Sequence, residues 1–198
     1  MGKYEAVMRD MKTSLEQVRR AAPIIQEIMG GGEIKAVEGS DNEILVMLDQ
    51  SCGTDYFYKF DKTNSKYKYA VVWGIGSRFQ PVKRSWDTFT IRRTREDTGA
   101  DTEYAKRKWA IEHNGVYPYL TLHGYFDSDT GEIISFAIAR TVDIWEFIAK
   151  GLAYTRETHT RTEGHSTFFV IDWAKMSEQG YNIKIYKRSQ YERYEVMS

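Results

Sequence analysis

The chain of 198 residues carries 28 basic and 28 acidic side chains, so its formal net charge is zero. Hydrophobic residues make up 41% and aromatic residues 14% of the chain, which is enough to build a core and argues against intrinsic disorder. The zero net charge gives no support for nucleic-acid binding through the overall field, so such a site must be a local patch.

The single cysteine, Cys52, excludes a disulfide framework within the chain and argues against a cysteine-based zinc site. One free thiol fits a reducing compartment, so we expect a cytoplasmic protein. No apolar run approaches the roughly 20 residues that span a bilayer, and the charged first residues lack the apolar region of a signal peptide. We therefore expect no membrane partner and a single domain covering residues 1–198.

The first predicted element is a helix at residues 3–29. Its apolar residues recur at spacings of three and four, and three consecutive glycines end the pattern. Strands are predicted at 33–38 and 43–49, joined by a turn of Gly, Ser, Asp and Asn. The run 44–48 is continuously apolar, as expected for a strand that is covered on both faces. Asp49 stands at the end of that strand, where it is either a site residue or a turn residue.

A β-hairpin at residues 55–73 follows. Aromatic and β-branched residues fill both arms, and a polar turn separates them. Asp55 stands at the start of the first arm, and Arg78 and Gln80 follow the second. Gly74 and Gly76 predict either a bulge or a close backbone approach.

Basic residues are concentrated in the next two elements, a strand at 87–92 and a helix from 98–101 to about residue 113. In and around the strand they are interleaved with Trp86 and Phe89, a mixture that suits phosphate contact and base stacking. A plain charged surface is the alternative. The predicted DNA-binding residues are Arg92, Arg93, Arg95, Lys106, Arg107 and Lys108.

The last part of the chain alternates strands and helices. Strands are predicted at 117–125 and 132–139, a helix at 141–151, a polar loop at 154–166, a strand at 167–171, a helix at 172–179 and a strand at 181–187. A fraying tail is expected after them. This order predicts an α+β fold with a mixed central β-sheet and flanking helices.

The residues around the hairpin can be assigned a chemistry. Phosphodiester hydrolysis uses a divalent metal held by hard oxygen ligands, together with a group that orients water or stabilises charge. Asp49 and Asp55 would supply the carboxylate oxygens, and Arg78 and Gln80 the orienting groups. The expected cofactor is therefore Mg²⁺ or Mn²⁺, and the expected partner is nucleic acid.

The segments Gly53-Thr54-Asp55 and Ser77-Arg78-Phe79-Gln80, behind a leading helix, resemble the core of the PD-(D/E)XK nuclease superfamily, which includes many restriction enzymes and phage nucleases. The resemblance covers residues 3–113. It implies a restriction-endonuclease-like core at 33–113, followed by an α/β extension at 117–190. Asp55 matches the first acid, and Gln80 takes the place of the lysine. Arg78 stands where the second acid belongs, so either Asp49 is the second ligand or the site does not cut.

Two other functions stay open. A non-catalytic phage or mobile-element interaction protein, such as an inhibitor, regulator or virion component with a protein partner or as a homodimer, fits the zero net charge, the 14 tyrosines and the missing acid. A small hydrolase would use His113 or His123 as general base, but no serine or cysteine nucleophile signature accompanies either histidine.

Overall fold

The computed structural model describes residues 16–17, 19–37, 43–44, 48, 52–63, 68–83, 85–95, 102–160, 164–188 and 194–197. The fold is α+β, with a mixed seven-stranded sheet and a second, three-stranded sheet. Within these residues, no helix combines the length and apolar character that crossing a membrane requires.

The elements follow one another in a mixed order of helices and strands. They are α1 (residues 19–28), β1 (Glu33–Ala36), β2 (Tyr56–Thr63), β3 (Lys68–Val82), β4 (Thr88–Arg95), α2 (Glu103–Glu112), β5 (Leu120–Asp127), β6 (Ile133–Arg140), α3 (Thr141–Ala149), β7 (Tyr154–Thr160), β8 (Gly164–Asp172), α4 (Trp173–Glu178), β9 (Ile183–Arg188) and β10 (Tyr194–Met197).

The large sheet has the strand order β1-β2-β3-β5-β6-β9-β10, and the small sheet has the order β4-β8-β7. Neighbouring strands are antiparallel except for β3 and β5, which pair in parallel from Ile75 opposite Leu120 onward. Parallel strands need a long crossover connection, and here β4 and α2 provide it. Within this crossover, β4 belongs to the small sheet and not to the large one.

The core has two clusters, one on each face of the large sheet. On one face, α1 contributes Ala21 and Ile25 to a cluster with Ile75 and Phe136 of the sheet. On the other face, α3, α4 and the small sheet enclose a second cluster that includes Phe89. The large sheet is therefore the central layer, and its two faces have separate environments.

Several sequence predictions agree with these elements. The hairpin forms as β2 and β3, in antiparallel register from Tyr56 opposite Ile75. The glycines at 30, 31 and 32 all adopt positive φ after α1, as predicted for a helix end. Gly76 lies in an unbroken part of β3, and a Cβ there would meet the Gly53 carbonyl oxygen at 2.8 Å. Close backbone approach, rather than a bulge, therefore explains this glycine.

Other predictions were wrong. Residues 43, 44 and 48 are helical instead of extended, and β1 pairs with β2 instead. A short apolar run lacks the periodicity that separates a strand from a helix. Residues 154–160 and 164–166 of the predicted polar loop belong to the antiparallel strands β7 and β8, and part of the tail pairs as β10 with β9. The predicted core and extension interleave, because β5, β6, β9 and β10 belong to the same sheet as β1, β2 and β3.

We expect Phe136→Ala to lower the free energy of unfolding by about 3–5 kcal/mol, because it empties a fully buried aromatic position between β6 and α1. Urea unfolding followed by circular dichroism measures this change. Val72→Ala, at a side chain that is 55% exposed, is the control and should stay within about 0.5 kcal/mol of the parent. Equal stabilities for the two variants would contradict the position of the core.

Candidate functional site

Asp55 lies immediately before β2, as the sequence predicted, and its carboxylate has a local partner. Its Oδ2 accepts a short hydrogen bond from the backbone N–H of Ser77 in β3. Its own backbone N–H donates to the Ile75 carbonyl oxygen at 2.9 Å. The Asp55 carboxylate therefore caps the β2–β3 ladder, because it accepts a hydrogen bond from a backbone N–H that has no partner in β2.

Arg78 and Gln80 lie farther along β3 and do not converge on Asp55. Gln80 is three residues beyond Ser77, which places it about 10 Å along an extended strand. Arg78 pairs in register with His123 of β5, and its guanidinium lies 5.5 Å from the centre of the Phe168 ring. The Gln80 Oε1 atom is buried and has no hydrogen-bond donor in the part of the chain that the structure describes.

Of the two predicted metal ligands, the structure describes Asp55. Its carboxylate already accepts a backbone hydrogen bond. Asp49, the other predicted ligand, lies outside the described residues. Within the described ranges, no three histidine, cysteine, aspartate or glutamate side chains lie close enough to hold a metal ion.

Arg107, predicted to bind DNA, has a side chain that is only 8% exposed. The guanidinium forms a 2.6 Å ion pair with Glu103, donates to the Thr121 hydroxyl at 3.2 Å and stacks over the Trp145 ring. A buried guanidinium needs such partners, because removing it from water without them is costly. Arg107 therefore joins α2 to the large sheet, and the predicted basic triplet does not share one face.

The other predicted DNA-binding residues are scattered between different environments. Arg92 lies 5.3 Å from the Phe168 ring centre and Arg93 lies 5.2 Å from that of Phe169. Lys106 is exposed, and Lys108 pairs at 3.6 Å with Glu112 on the same helix. The backbone of Arg95 lies in β4, but its side chain is outside the described part of the structure.

His123 is buried between the two sheets and serves neither predicted base chemistry nor an exposed surface. Its Nδ1 accepts a hydrogen bond from the Thr90 N–H at 2.9 Å, which requires that nitrogen to be unprotonated. Burial, together with the nearby charge of Arg78, holds the pKa of His123 well below its usual value of 6.5. The ring is therefore a neutral link between β5 and β4.

A concave site lies on the opposite face of the large sheet. A cavity of about 260 Å³ is bounded there by aromatic rings from three different segments of the chain. The rings of Trp73 and Tyr119 stack with centroids 4.7 Å apart, and Phe60 meets Trp73 edge-on at the same distance. The complete lining is Met29, Tyr58, Phe60, Trp73, Tyr119, Leu120, Ile138, Ala139, Arg140, Asn182 and Lys184.

One side of this aromatic cavity is polar. Arg140 donates through Nε and Nη2 to the Asp143 carboxylate, at 2.8 Å and 2.6 Å, and this carboxylate and Tyr119 raise the pKa of Arg140. Lys184 of β9 lies opposite Ile138 of β6 in the sheet. Because Asp143 neutralises Arg140, Lys184 supplies the net positive charge at the cavity.

Sequence reasoning missed this cavity, although a signal for it exists. Trp73 of β3 pairs directly with Tyr58 of β2, so their side chains share a face. Aromatic residues recur at every second position through Tyr56, Tyr58 and Phe60. Applied to the predicted hairpin register, that period of two predicts an aromatic face. Tyr119, Arg140 and Lys184 reach it only through the tertiary pairing of β5, β6 and β9.

A second hollow, of about 590 Å³, lies beside α2 and includes Cys52 and Trp109. Trp109 is 61% exposed and stacks on His113. Burial raises the pKa of the Cys52 thiol, which disfavours the thiolate that a nucleophile needs. Residues 49–51, next to Cys52, lie outside the described part of the chain.

Comparisons with known proteins give no relative on which to base a function: no family model, no curated protein and no solved structure matches this chain.

We expect the stability of the protein to fall as the pH drops below about 6.5, because the unfolded chain then binds a proton that folded His123 resists. Urea unfolding between about pH 7.5 and pH 5 measures this dependence. In His123→Asn the amide oxygen can still accept the Thr90 N–H bond, and the dependence should become shallower. His113→Asn, at an exposed histidine, is the matched control; an equal slope in all three proteins would contradict the assignment to His123.

Proposed function

We propose that this chain is a non-catalytic binding protein and that the aromatic cavity is its ligand site. The observation that carries the proposal is the convergence of Tyr58, Phe60, Trp73 and Tyr119 beside Lys184 around one cavity. Aromatic faces select planar groups by stacking, and a neighbouring ammonium selects negative charge. The expected ligand is therefore a planar aromatic group that carries an anionic substituent.

The position of the charged groups supports binding over cleavage. Asp55, predicted as a metal ligand, accepts from the Ser77 N–H, and Arg107, predicted to bind DNA, is buried in an ion pair, so both have structural partners. The aromatic cavity, in contrast, has an open side, and its rings are partly exposed apart from the buried Tyr58; Tyr119 is 37% exposed. Partly exposed aromatic side chains beside a cation are a common feature of interaction sites.

A metal-dependent nuclease with a restriction-endonuclease-like core is the second candidate. One observation favours it: Asp55 stands directly before β2, while Arg78 and Gln80 lie on the paired strand β3, in the order that the superfamily resemblance implies. In that function Asp49 would have to join Asp55 in holding Mg²⁺ or Mn²⁺. The two candidates use opposite faces of β3, so they can be tested separately.

The binding proposal predicts that naphthalene sulfonate, a planar aromatic anion, binds the cavity, whereas cyclohexane sulfonate, an anion without an aromatic face, does not. Binding is measured by titration while the indole N–H signal of Trp73 is followed by NMR. Tyr119→Leu should weaken binding because it removes one stacking wall. Tyr154→Leu, at a tyrosine that is 55% exposed on β7, is the matched control. Equal binding of both anions, or no movement of the Trp73 signal, would contradict the proposal.

Asp55→Ala separates the two candidates. If Asp55 is structural, removing its carboxylate leaves the Ser77 N–H without this acceptor and lowers the free energy of unfolding by about 1–3 kcal/mol. Asp55→Asn, which keeps an acceptor oxygen, should lose less, and the exposed Asp61→Ala should change little. We expect the parent protein to leave single-stranded, double-stranded and branched DNA intact with Mg²⁺ or Mn²⁺. Metal-dependent cleavage that Asp55→Asn abolishes without loss of stability would establish the nuclease instead.

A further inference from the structure

We infer that the ligand of the aromatic cavity is a nucleotide unit, with its base stacked against the aromatic cluster and its phosphate at Lys184. This inference rests on the proposed binding function and assigns its ligand class. The same chemistry is presented by a free mononucleotide and by the unpaired residues of a single-stranded nucleic acid.

The size of the cavity limits the ligand to one small ring system. Its volume of about 260 Å³ lies just below the ~300–1,000 Å³ typical of sites for drug-sized molecules. The walls are Trp73 and Tyr119, which stack at an interplanar angle of 29°, and Phe60, which meets Trp73 at 63°. These rings offer both a stacking face and an edge contact. Every nucleobase, whichever of the bases it is, has a flat π-face that can stack on walls of this kind.

The polar side of the cavity matches the rest of a nucleotide. Asn182 lies at the same cavity and offers a paired donor and acceptor, as the edge of a base requires. Lys184 supplies an ammonium for the phosphate. Two hydrogen bonds to Asp143 fix the orientation of the Arg140 guanidinium. This group can donate to a ligand while Asp143 balances its charge.

The charge at the cavity favours recognition of one nucleotide unit over binding along an extended nucleic-acid backbone. The whole chain has no net charge, and Lys184 is the surplus cation at this cavity. Each phosphate contact of a single strand contributes a slope of about −0.7 to the dependence of log affinity on log salt. We therefore expect a shallow salt dependence that corresponds to one or two phosphates. A duplex should not bind, because its bases are stacked inside the helix and cannot enter the cavity.

The test uses the full chain, titrated with adenosine monophosphate, adenosine, ribose phosphate, a short single-stranded DNA oligonucleotide and its duplex. Affinity is measured by calorimetry or fluorescence anisotropy, and the site by the Trp73 indole signal. Adenosine monophosphate and the single strand should bind, adenosine more weakly, and ribose phosphate and the duplex not at all. Similar affinity for mononucleotide and strand identifies a free nucleotide as the source, and much tighter strand binding identifies single-stranded nucleic acid. Both results support the inference.

Variants make the assignment specific. Tyr119→Leu should lower the affinity by about 5- to 150-fold, the range for loss of base–aromatic stacking. Lys184→Gln should remove the advantage of adenosine monophosphate over adenosine. The matched controls are Tyr154→Leu and Lys83→Gln, whose side chains are exposed and lie away from the cavity. Circular dichroism checks that each variant is folded.

The inference is overturned if neither the mononucleotide nor the single strand binds, if the duplex binds more tightly than the strand, or if Tyr119→Leu and Lys184→Gln bind like the parent. Naphthalene sulfonate distinguishes a wrong ligand class from a wrong binding function. If it still binds beside Trp73 while nucleotides do not, the binding function stands and its ligand class is wrong. If it does not bind either, the proposed function itself fails.

Discussion

The alternation of side chains along β3 is the constraint on which the rest of the structure depends. Successive residues of a strand point to opposite faces of the sheet. Trp73 and Ile75 therefore face α1 and the aromatic cavity, while Gly76 and Arg78 face α2 and the small sheet. A shift of one residue in the pairing of β3 would exchange these two sets, so the register with β2 and β5 decides which chemistry each face presents.

Polar groups have different roles on the two faces of the large sheet. On the face covered by α2 and the small sheet, Arg107 pairs with Glu103 and neutral His123 accepts a hydrogen bond from the Thr90 N–H. These charged and hydrogen-bonding groups are therefore satisfied inside the protein. Groups buried in this way stabilise the packing only while every partner is present. On the cavity face, aromatic rings and Lys184 keep contact with solvent and remain accessible to a ligand. Accessibility, rather than the number of charged residues, therefore separates the candidate site from the structural polar groups.

The hydrogen bond of Asp55 gives this acid a role in the fold. The ladder between β2 and β3 stops at the pair of Tyr56 and Ile75. The backbone N–H groups of β3 beyond Ile75 therefore have no partner in β2. The Asp55 carboxylate takes the Ser77 N–H and replaces the missing carbonyl. A buried backbone donor without an acceptor costs free energy comparable to a lost hydrogen bond, which is sufficient reason for an acid at this position without any metal chemistry.

The sequence by itself determined the local elements: the β2–β3 hairpin, the helix α2, the strands β5 and β6, and the left-handed glycines after α1 all follow from short-range patterns. Only the tertiary structure decided that residues 43, 44 and 48 are helical, that Arg107 is buried, and that Tyr119, Arg140 and Lys184 join Trp73 around one cavity. The reason is physical. Turn and periodicity signals act over a few residues, whereas burial and cavity formation depend on strands paired across 44 to 52 positions of the chain.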